Sequence, residues 1–402
     1  MSITITGGIT LNGGIGVTPA PLRAPGAPTI GTATATGQTT ATVSFTAPAS
    51  NGGSTILSYT ATSSPGGITG TLTQAGSGTI NVSGLTASTS YTFTVTATNS
   101  IGTSSPSAAS NSITTEAPLT GIRAIFGYGY STTTLSMTNL VSNTGVVGND
   151  VTGVGTARFA LAASGYGGDK AIFGYGYNGG RTNITNKVSN TGVVATDTGG
   201  VGTVRYNLAA ATYGGDKAIF GYGRVSLRQN ITNLVSNTGV VGNDVTGVGT
   251  ERSLLGAAGY GTDKAIFGYG AADANAPQSM TNLVSNTGVV STDTAGVGTA
   301  RRGIAAAGYG TDKAIFGYGS DGSLLSITNL VSNTGVVATN TTGVGTAREN
   351  LAAARYDTDK AIFGYGGGVS MTNKVSNTGV VATDTTGVGT ARSQLAAGTY
   401  GS

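Results

Sequence analysis

The amino-acid sequence predicts an all-β protein. Of its 402 residues, 69 are glycine and only 9% are charged. Threonine, serine and valine are abundant, and these residues favour strands and turns over helices. From residue 124 onward one hexapeptide recurs six times. Because the chain exceeds the size at which a single core stops growing, we expect at least two domains.

Residues 1–24 are predicted to form an N-terminal β-arm and a linker. Ile3, Ile5, Ile9 and Leu11 stand in short alternating runs that glycine pairs interrupt, and a proline-rich stretch follows over residues 19–25. Such a segment can add strands to a neighbouring subunit and so serve as an anchor, or it can be a disordered tail. The sequence leaves both alternatives open.

Residues 25–117 are predicted to form a β-sandwich. Runs of alternating apolar and polar residues predict strands over residues 40–45, 56–62, 79–82 and 91–98. Tyr91 follows Leu85 by six residues and lies within Ser-Tyr-Thr-Phe-Thr-Val. This segment resembles a fibronectin type III domain, in which such a tyrosine forms the tyrosine corner.

The resemblance implies a spacer or docking module for this domain. Phe45 stands where the family has a buried tryptophan in its second strand, and the family's cell-attachment tripeptide is missing. Integrin-type binding is therefore not implied. Since Arg23 and Glu116 are the only charged residues among the first 120, we expect no charge-based site in this part of the chain.

The repeats that follow are predicted to be the blades of a β-propeller. Ala-Ile-Phe-Gly-Tyr-Gly begins at residues 124, 171, 218, 265, 314 and 361, at intervals of 47, 47, 47, 49 and 47. A period of this length with only β-type segments is typical of propellers. Each unit offers four candidate strands: the hexapeptide, a Thr-Asn-Leu/Lys-Val run, a Gly-Val-Val run and an alanine-rich run.

The units resemble kelch repeats, so we expect residues 121–402 to form a six-bladed, kelch-like propeller. Val147 replaces the family's tryptophan, and Gly127-Tyr128-Gly129 replaces its double glycine. Small side chains suit the crowded axis, so the alanine-rich strand is predicted to be innermost. The last strand, over residues 392–400, is then expected to complete the first blade and close the ring.

Internal variation among the repeats predicts a binding face. The loop between the second and third strands differs in every unit, and so do the two residues after a repeated arginine. In an up-and-down blade both sets lie at one end. We expect this end to contact a glycan, a host receptor or a neighbouring protein, although loops also diverge without function. Aromatic and arginine side chains dominate such contacts. The candidate contact residues are Tyr130, Phe159, Tyr177, Tyr206, Arg224 and Arg228.

Two sets of charged residues repeat at constant positions. One set consists of Arg158, Arg205, Arg252, Arg301, Arg348 and Arg392. These arginines are predicted to form a ring near one mouth of the axis, where they could bind an anion. The favoured interpretation is that each one hydrogen-bonds the backbone of the next blade. In the other set, aspartates precede lysines in the inner hairpin turns, where aspartate usually caps its own backbone. One carboxylate per repeat is too few for a calcium site, so no metal is predicted.

The composition argues against an enzyme. Histidine and cysteine are absent, which excludes imidazole and thiolate chemistry, and no cofactor site is predicted. A glycan-active hydrolase would need two irregular carboxylates in one cleft. The candidates are Glu251 or Glu349 with Asp273 or Asp321, and this alternative is the less favoured one. No catalytic residue is therefore assigned.

With its few charges, its glycine-rich arm and its fibronectin-like domain, the chain resembles bacteriophage virion proteins. The N-terminus lacks the features of a secretory signal. The sequence contains no run of 18 apolar residues, so no membrane insertion is predicted. A net charge of +4 without a basic cluster predicts no nucleic-acid binding. We expect a homo-oligomeric surface protein of the virion (fibre, tail or head decoration). Its arm and sandwich would bind other virion proteins, and its propeller a protein or a host-surface glycan. A bacterial extracellular adhesin is the alternative.

Overall fold

The computed structural model of the protein describes residues 21–36, 39–115 and 121–401. The chain divides into two compact units, Met1–Pro118 and Leu119–Ser402. Apart from residues 21–24, the predicted N-terminal arm lies outside the described residues. The helical content of the described residues is one 3-10 turn, Asp273–Asn275. No helix among them is long and apolar enough to span a membrane.

The first unit contains two antiparallel sheets. One sheet has the strand order β1-β2-β5 and the other β4-β3-β6-β7. Buried residues alternate with more exposed ones along most of these strands, because one face packs on the shared core while the other meets solvent. The four strands predicted from alternation are confirmed, with ends extended by one or two residues. The strands are β1 (Thr29–Ala35), β2 (Thr40–Thr46), β3 (Ile56–Ser64), β4 (Thr69–Leu72), β5 (Gly78–Ser83), β6 (Ser90–Asn99) and β7 (Ile113–Thr114).

Two sequence features of this unit meet in its core. Phe45 is buried, and its ring lies 4.2 Å from that of Tyr59, so phenylalanine fills the place predicted for it. Tyr91 is also buried, and its hydroxyl accepts a hydrogen bond from the backbone N–H of Thr86 at 2.9 Å. The predicted tyrosine corner is therefore present. It ties the start of β6 to the chain that leads into it.

The second unit consists of six similar antiparallel sheets of three strands. Their orders are β25-β8-β9, β10-β11-β12, β13-β14-β15, β16-β17-β18, β19-β20-β21 and β22-β23-β24. The strands are β8 (Arg123–Tyr130), β9 (Thr134–Val141), β10 (Ala162–Tyr166), β11 (Lys170–Tyr177), β12 (Arg181–Val188), β13 (Ala209–Tyr213), β14 (Lys217–Gly221), β15 (Thr232–Val235), β16 (Gly256–Tyr260), β17 (Lys264–Gly268), β18 (Thr281–Val284), β19 (Ala305–Tyr309), β20 (Lys313–Gly317), β21 (Thr328–Val331), β22 (Ala352–Tyr356), β23 (Lys360–Gly364), β24 (Thr372–Val375) and β25 (Ala396–Tyr400).

The Gly-Val-Val segment does not form the regular fourth strand that the sequence predicts. In the first repeat, this segment and the residues after it meet β9 through two isolated bridges, Val141 with Val147 and Thr138 with Val151. The register shifts by one residue between them, as in a β-bulge. The buried side chain of Asn139 fills this gap and donates a hydrogen bond to the carbonyl of Gly148 at 3.0 Å. A side chain thus replaces ladder bonds at this edge.

The alanine-rich strands β10, β13, β16, β19, β22 and β25 contact one another in cyclic order, and we call them the inner strands. All six line a cavity of about 280 Å³. Alanine and glycine suit this position, because small side chains let six strands approach. β25, the last strand of the chain, pairs with β8, the first strand of this unit, with Ala396 opposite Gly127 and Tyr400 opposite Arg123.

Two cyclic sets of backbone hydrogen bonds join the sheets. At one end, each donor N–H bonds the carbonyl of its counterpart in the preceding sheet at 2.7–2.9 Å; the donors are Ala160, Asn207, Leu254, Gly303, Asn350 and Gln394. At the hairpin turns each donor bonds a carbonyl of the following sheet at 2.7–2.8 Å; the donors are Gly167, Gly214, Gly261, Gly310, Asp357 and Gly401. Every sheet is therefore tied to both neighbours.

The repeated hexapeptide explains how closely the sheets pack. A Cβ on Gly127 would lie 2.7 Å from the ring of Phe173 in the next sheet, so only glycine leaves room for that ring. Gly129 has a φ of +106°, which disfavours any side chain. Between them, the buried ring of Tyr128 packs 5.1 Å from Phe173. Each hexapeptide thus forms a strand of its own sheet and also leaves space for the phenylalanine ring of the next sheet.

Candidate functional site

The two variable parts of each repeat lie side by side at one end of the sheets. Backbone bridges join Phe159 to Tyr177, Tyr206 to Arg224, and Tyr130 to Ser393. In each pair, one residue follows a repeated arginine and the other begins a variable loop. The variable segments therefore form one continuous surface, on which neighbouring repeats contribute adjacent side chains.

Four aromatic residues form a row across this surface, and we call it the aromatic row. The ring centroids of Tyr130 and Phe159 lie 5.4 Å apart, those of Phe159 and Tyr177 5.5 Å, and those of Tyr177 and Tyr206 5.6 Å. The rings are tilted by 55–62° to one another, a favourable aromatic geometry. Tyr130 is exposed and the other three are half-buried. Four of the six predicted contact residues thus lie together.

Basic residues lie beyond the Tyr206 end of the aromatic row. Tyr206 and Arg224 exchange backbone hydrogen bonds of 3.1 and 2.8 Å, which places the half-buried Arg224 next to the last ring. Arg302, in a later repeat, donates to the carbonyl of Asn275 at 3.0 Å. Arg302 was not among the predicted contact residues. It occupies the variable position after a repeated arginine, the same signal that identified Phe159 and Tyr206.

Arg228 does not have the exposed position expected of a contact residue. Only 6% of its surface is exposed. Its guanidinium donates to the side chain of Asn275 at 2.5 Å and lies 3.9 Å from Asp273. Arg228 therefore supports the 3-10 turn that carries Asp273 and Asn275. Because that turn borders the surface, Arg228 acts on it indirectly.

The six repeated arginines form no exposed ring. Each is at most 2% exposed, and none lines the central cavity. Arg205 is representative: its guanidinium donates to the carbonyl of Tyr222 at 2.9 Å, to that of Thr203 at 3.1 Å and to the side chain of Asn233 at 2.6 Å. It also lies 4.4 Å from the ring centroid of Tyr175 in the preceding sheet. The arginines therefore hold neighbouring sheets together.

We call each repeated arginine, with the groups that it contacts, an arginine cluster. In five of the six clusters an aspartate is also present. Asp244 accepts hydrogen bonds from the N–H and hydroxyl of Thr203 at 3.1 and 2.6 Å and from the side chain of Asn233 at 2.9 Å. It also lies 3.8 Å from Arg205. In one repeat Asn340 occupies the corresponding position and bonds Thr299 instead. An amide can therefore replace the carboxylate in this environment.

The clusters shift the pKa values of their members. Burial raises the pKa of Tyr175 to about 12, although the positive charge of Arg205 opposes this shift. Burial also lowers the pKa of Arg205. For Asp244, burial acts to raise the pKa, but hydrogen bonds from Thr203 and Asn233, with the charge of Arg205, outweigh it and lower the pKa.

These aspartates make the stability of the second unit depend on pH. Asp150, Asp197, Asp244, Asp293 and Asp384 all have pKa values below the ordinary 3.8. A carboxyl whose pKa is lowered on folding stabilises the fold above its unfolded pKa and loses this contribution as pH falls through the folded value. We expect the urea midpoint of the unit to be constant near pH 6 and to fall below pH 4. In Asp244→Asn, which copies Asn340, the fall should be smaller; an unchanged slope would contradict this assignment.

The other acidic residues lie apart from such clusters. Asp169 pairs with Lys170 at 2.5 Å within its own hairpin turn. Among the irregular carboxylates, Asp273 neighbours Arg228, and Asp321 accepts a hydrogen bond from the N–H of Ser323 at 3.0 Å within its loop. Within the described part of the chain, no three acidic side chains are grouped so that they could hold a metal ion.

Comparison with known proteins identifies one domain. Residues 26–113 match the Fibronectin type III domain, and this match covers both sheets of the first unit. No curated protein matches the chain. The protein thus contains a fibronectin type III domain, which is followed by a unit of six repeated sheets.

Proposed function

We propose that residues 121–402 form a six-bladed, kelch-like β-propeller closed by the C-terminal strand. Six similar sheets, cyclic contacts among the inner strands and two cyclic sets of backbone hydrogen bonds support this architecture. The pairing of β25 with β8 supports the closure. In this arrangement the irregular Gly-Val-Val segments are the outer edges of the blades.

We further propose that the protein is a non-enzymatic virion surface protein that binds a host-surface glycan through the aromatic row. The observation that carries this proposal is the continuity of four aromatic rings, at successive distances of 5.4–5.6 Å, on the face where the repeats differ. Aromatic faces bury the apolar side of a sugar ring at little entropic cost. Arg224 and Arg302 at one end would bind hydroxyl or acidic groups of the same glycan.

The other parts of the chain have supporting roles in this proposal. A fibronectin type III domain fits a binding or adhesion protein, and here it would space the propeller from an anchor formed by residues 1–24. The anchor and the sandwich would bind other virion proteins in a homo-oligomeric assembly. The absence of histidine and cysteine from the chain supports a binding role rather than a catalytic one.

A glycan array with the full chain tests the binding proposal. We expect binding to a restricted set of glycans that falls at least tenfold in the double variant Tyr177→Ala, Tyr206→Ala, since stacking contacts contribute roughly 1–3 kcal/mol. The matched control is Val193→Ala, Val240→Ala, because these valines are exposed by 66 and 62% on turns that do not vary. Glycan binding that survives in the tyrosine variant would contradict the proposed site.

Immunogold labelling tests the proposed location. Antibodies against the protein should label purified particles released by lysis of the producing cells and should not label intact cells. Labelling of intact cells in the absence of particles would instead favour the bacterial adhesin, with the same binding face in a different setting.

A further inference from the structure

The cavity of the second unit has different linings at its two ends. At the variable end, the six buried residues that directly precede the inner strands line a separate depression of about 70 Å³: Leu161, Leu208, Leu255, Ile304, Leu351 and Leu395. This apolar layer closes the cavity on that side. At the opposite end, lysines of the hairpin turns, including Lys170, Lys264 and Lys313, surround the mouth. A ligand would therefore enter from the face opposite the aromatic row.

The wall of the cavity consists of small side chains except at one position: most are alanine or glycine, and Ser164, Thr212 and Thr399 add hydroxyl groups. Alanines from all six inner strands line it, including Ala211, Ala307 and Ala397. The fourth residue of the inner strand is glycine or threonine in five of the six strands, but it is Arg355 in β22. Among the described inner strands, Arg355 is the only charged residue whose side chain lines the cavity between its two ends.

Unlike Arg205, but like the buried Arg123, Arg355 has a guanidinium that donates no hydrogen bond to a described residue. Its Nε is buried without a hydrogen-bond partner, and no carboxylate of the described residues lies within 4.0 Å of it. Lys360 engages the two nearest carboxylates, Asp357 at 2.7 Å and Asp359 at 3.2 Å. Burial lowers the pKa of Arg355, with these aspartates acting in the opposite direction. A buried donor without a partner is costly, so a ligand oxygen that reached this Nε would be favoured.

A lysine without an ion pair lies at the mouth, on the neighbouring sheet. Lys170 and Lys264 pair with the aspartates that precede them, at 2.5 and 3.1 Å. Lys313 also lines the cavity, but no ion pair joins it to a described residue. Lys313 on β20 and Arg355 on β22 therefore place two cations without a direct carboxylate partner on one side of the cavity, where an anionic group could pair with them.

We propose that the cavity binds a small organic carboxylate, whose carboxyl group pairs with Arg355 and whose apolar part lies against the alanine wall. The planar guanidinium fork matches a carboxylate in two parallel hydrogen bonds. The alanine wall favours a ligand with a short hydrocarbon part over an inorganic anion. Lys313 adds attraction at the entrance. This site is separate from the aromatic row, and neither depends on the other.

Isothermal titration calorimetry and thermal-shift measurements on the full chain test the proposal with acetate, butyrate, succinate and inorganic phosphate as probes. We expect butyrate or succinate to bind and to raise the melting temperature. In Arg355→Gly and Arg355→Thr binding should weaken by about tenfold or more, as expected on losing a charge-assisted pair. Both variants copy residues of other inner strands, so the fold should be retained. Arg224→Ala, on the other face, should bind the carboxylates normally.

Three results would overturn this assignment. The first is that none of the carboxylates binds, and the second is that carboxylates bind equally well to the Arg355 variants and the parent protein. The third is binding of phosphate as tight as that of butyrate, which would remove the role of the apolar wall. Glycan binding measured in the same Arg355 variants distinguishes the two sites. It should equal that of the parent protein, both when the parent protein binds carboxylates and when it does not.

Discussion

Truncation of the chain after Ala391 is expected to abolish the cooperative unfolding of the second unit while leaving that of the fibronectin type III domain. The deletion removes β25 and leaves the inner edge of β8 without its partner strand. It also breaks both cyclic sets of hydrogen bonds, at Gln394 and at Gly401. Residues of β8 that are now fully buried, such as Ile125 and Phe126, would lose part of their cover.

The free energy lost on truncation should exceed the folding stability of the second unit. Arg392 bonds Asn139 at 2.6 Å and lies 3.7 Å from Asp150, so the deletion also leaves a buried amide and a carboxylate without their cation. Removing one member of such a cluster costs about 3–5 kcal/mol, against total stabilities of about 5–15 kcal/mol for a domain. Differential scanning calorimetry should show one transition fewer than in the full chain.

Complementation provides the control for this truncation. A synthetic peptide of residues 392–402 should restore the missing transition, because it can pair with β8 from outside the chain. The same peptide with Ala396→Asp should not, since Ala396 is 5% exposed and packs in the core between two sheets. A truncated protein that melts like the full chain would show that β25 is dispensable and would contradict the proposed closure.

Arg205→Ala is expected to destabilise the second unit by about 3–5 kcal/mol. The substitution leaves the side chain of Asn233, which is fully buried, without its donor, and removes the cation beside Asp244. The ring of Tyr175 loses its cation–π partner at 4.4 Å. These losses fall between two sheets, where water cannot replace the missing donors, so they add to the cost of the cavity.

Urea unfolding followed by circular dichroism measures this effect. Arg181→Ala is the matched control, because Arg181 lies on the exposed start of β12 and its removal should change stability by less than about 0.5 kcal/mol. Asp244→Asn should be mild at neutral pH, as Asn340 shows that the cluster accepts an amide. A loss below about 1 kcal/mol in Arg205→Ala would mean that the buried arginines contribute little to holding the sheets together.

Local patterns predicted the first unit well, because its signals involve residues close in sequence. Alternation identified four strands, and the six-residue spacing of Leu85 and Tyr91 predicted a corner that a hydrogen bond from Thr86 completes. The Gly-Val-Val strand was predicted wrongly for the opposite reason. Its apolar pair suggests a strand, but the buried side chain of Asn139 competes for the bonds that a regular ladder would need.

The candidate site was only partly predictable. Comparison of the repeats located the variable surface and four of its rings, since variation between copies is visible in the sequence. It could not separate Arg224 from Arg228, which are four residues apart, because burial of Arg228 depends on a turn in the next repeat. Arg355 gave the signal of a charged residue in an alanine run, but its meaning depends on which strands surround the cavity.

The sequence by itself determined the all-β class, the fibronectin type III domain and the six similar sheets, because alternation and repetition are properties of residues near one another in the chain. Only the tertiary structure decided which charges are buried and which are free. Arg205 and Arg355 are the same residue type in the same unit, yet one is saturated by Asn233 and two carbonyls while the other has a buried Nε without a partner. The free energy of a charge depends on its partners and on exclusion of water, and residues far apart in the chain supply both.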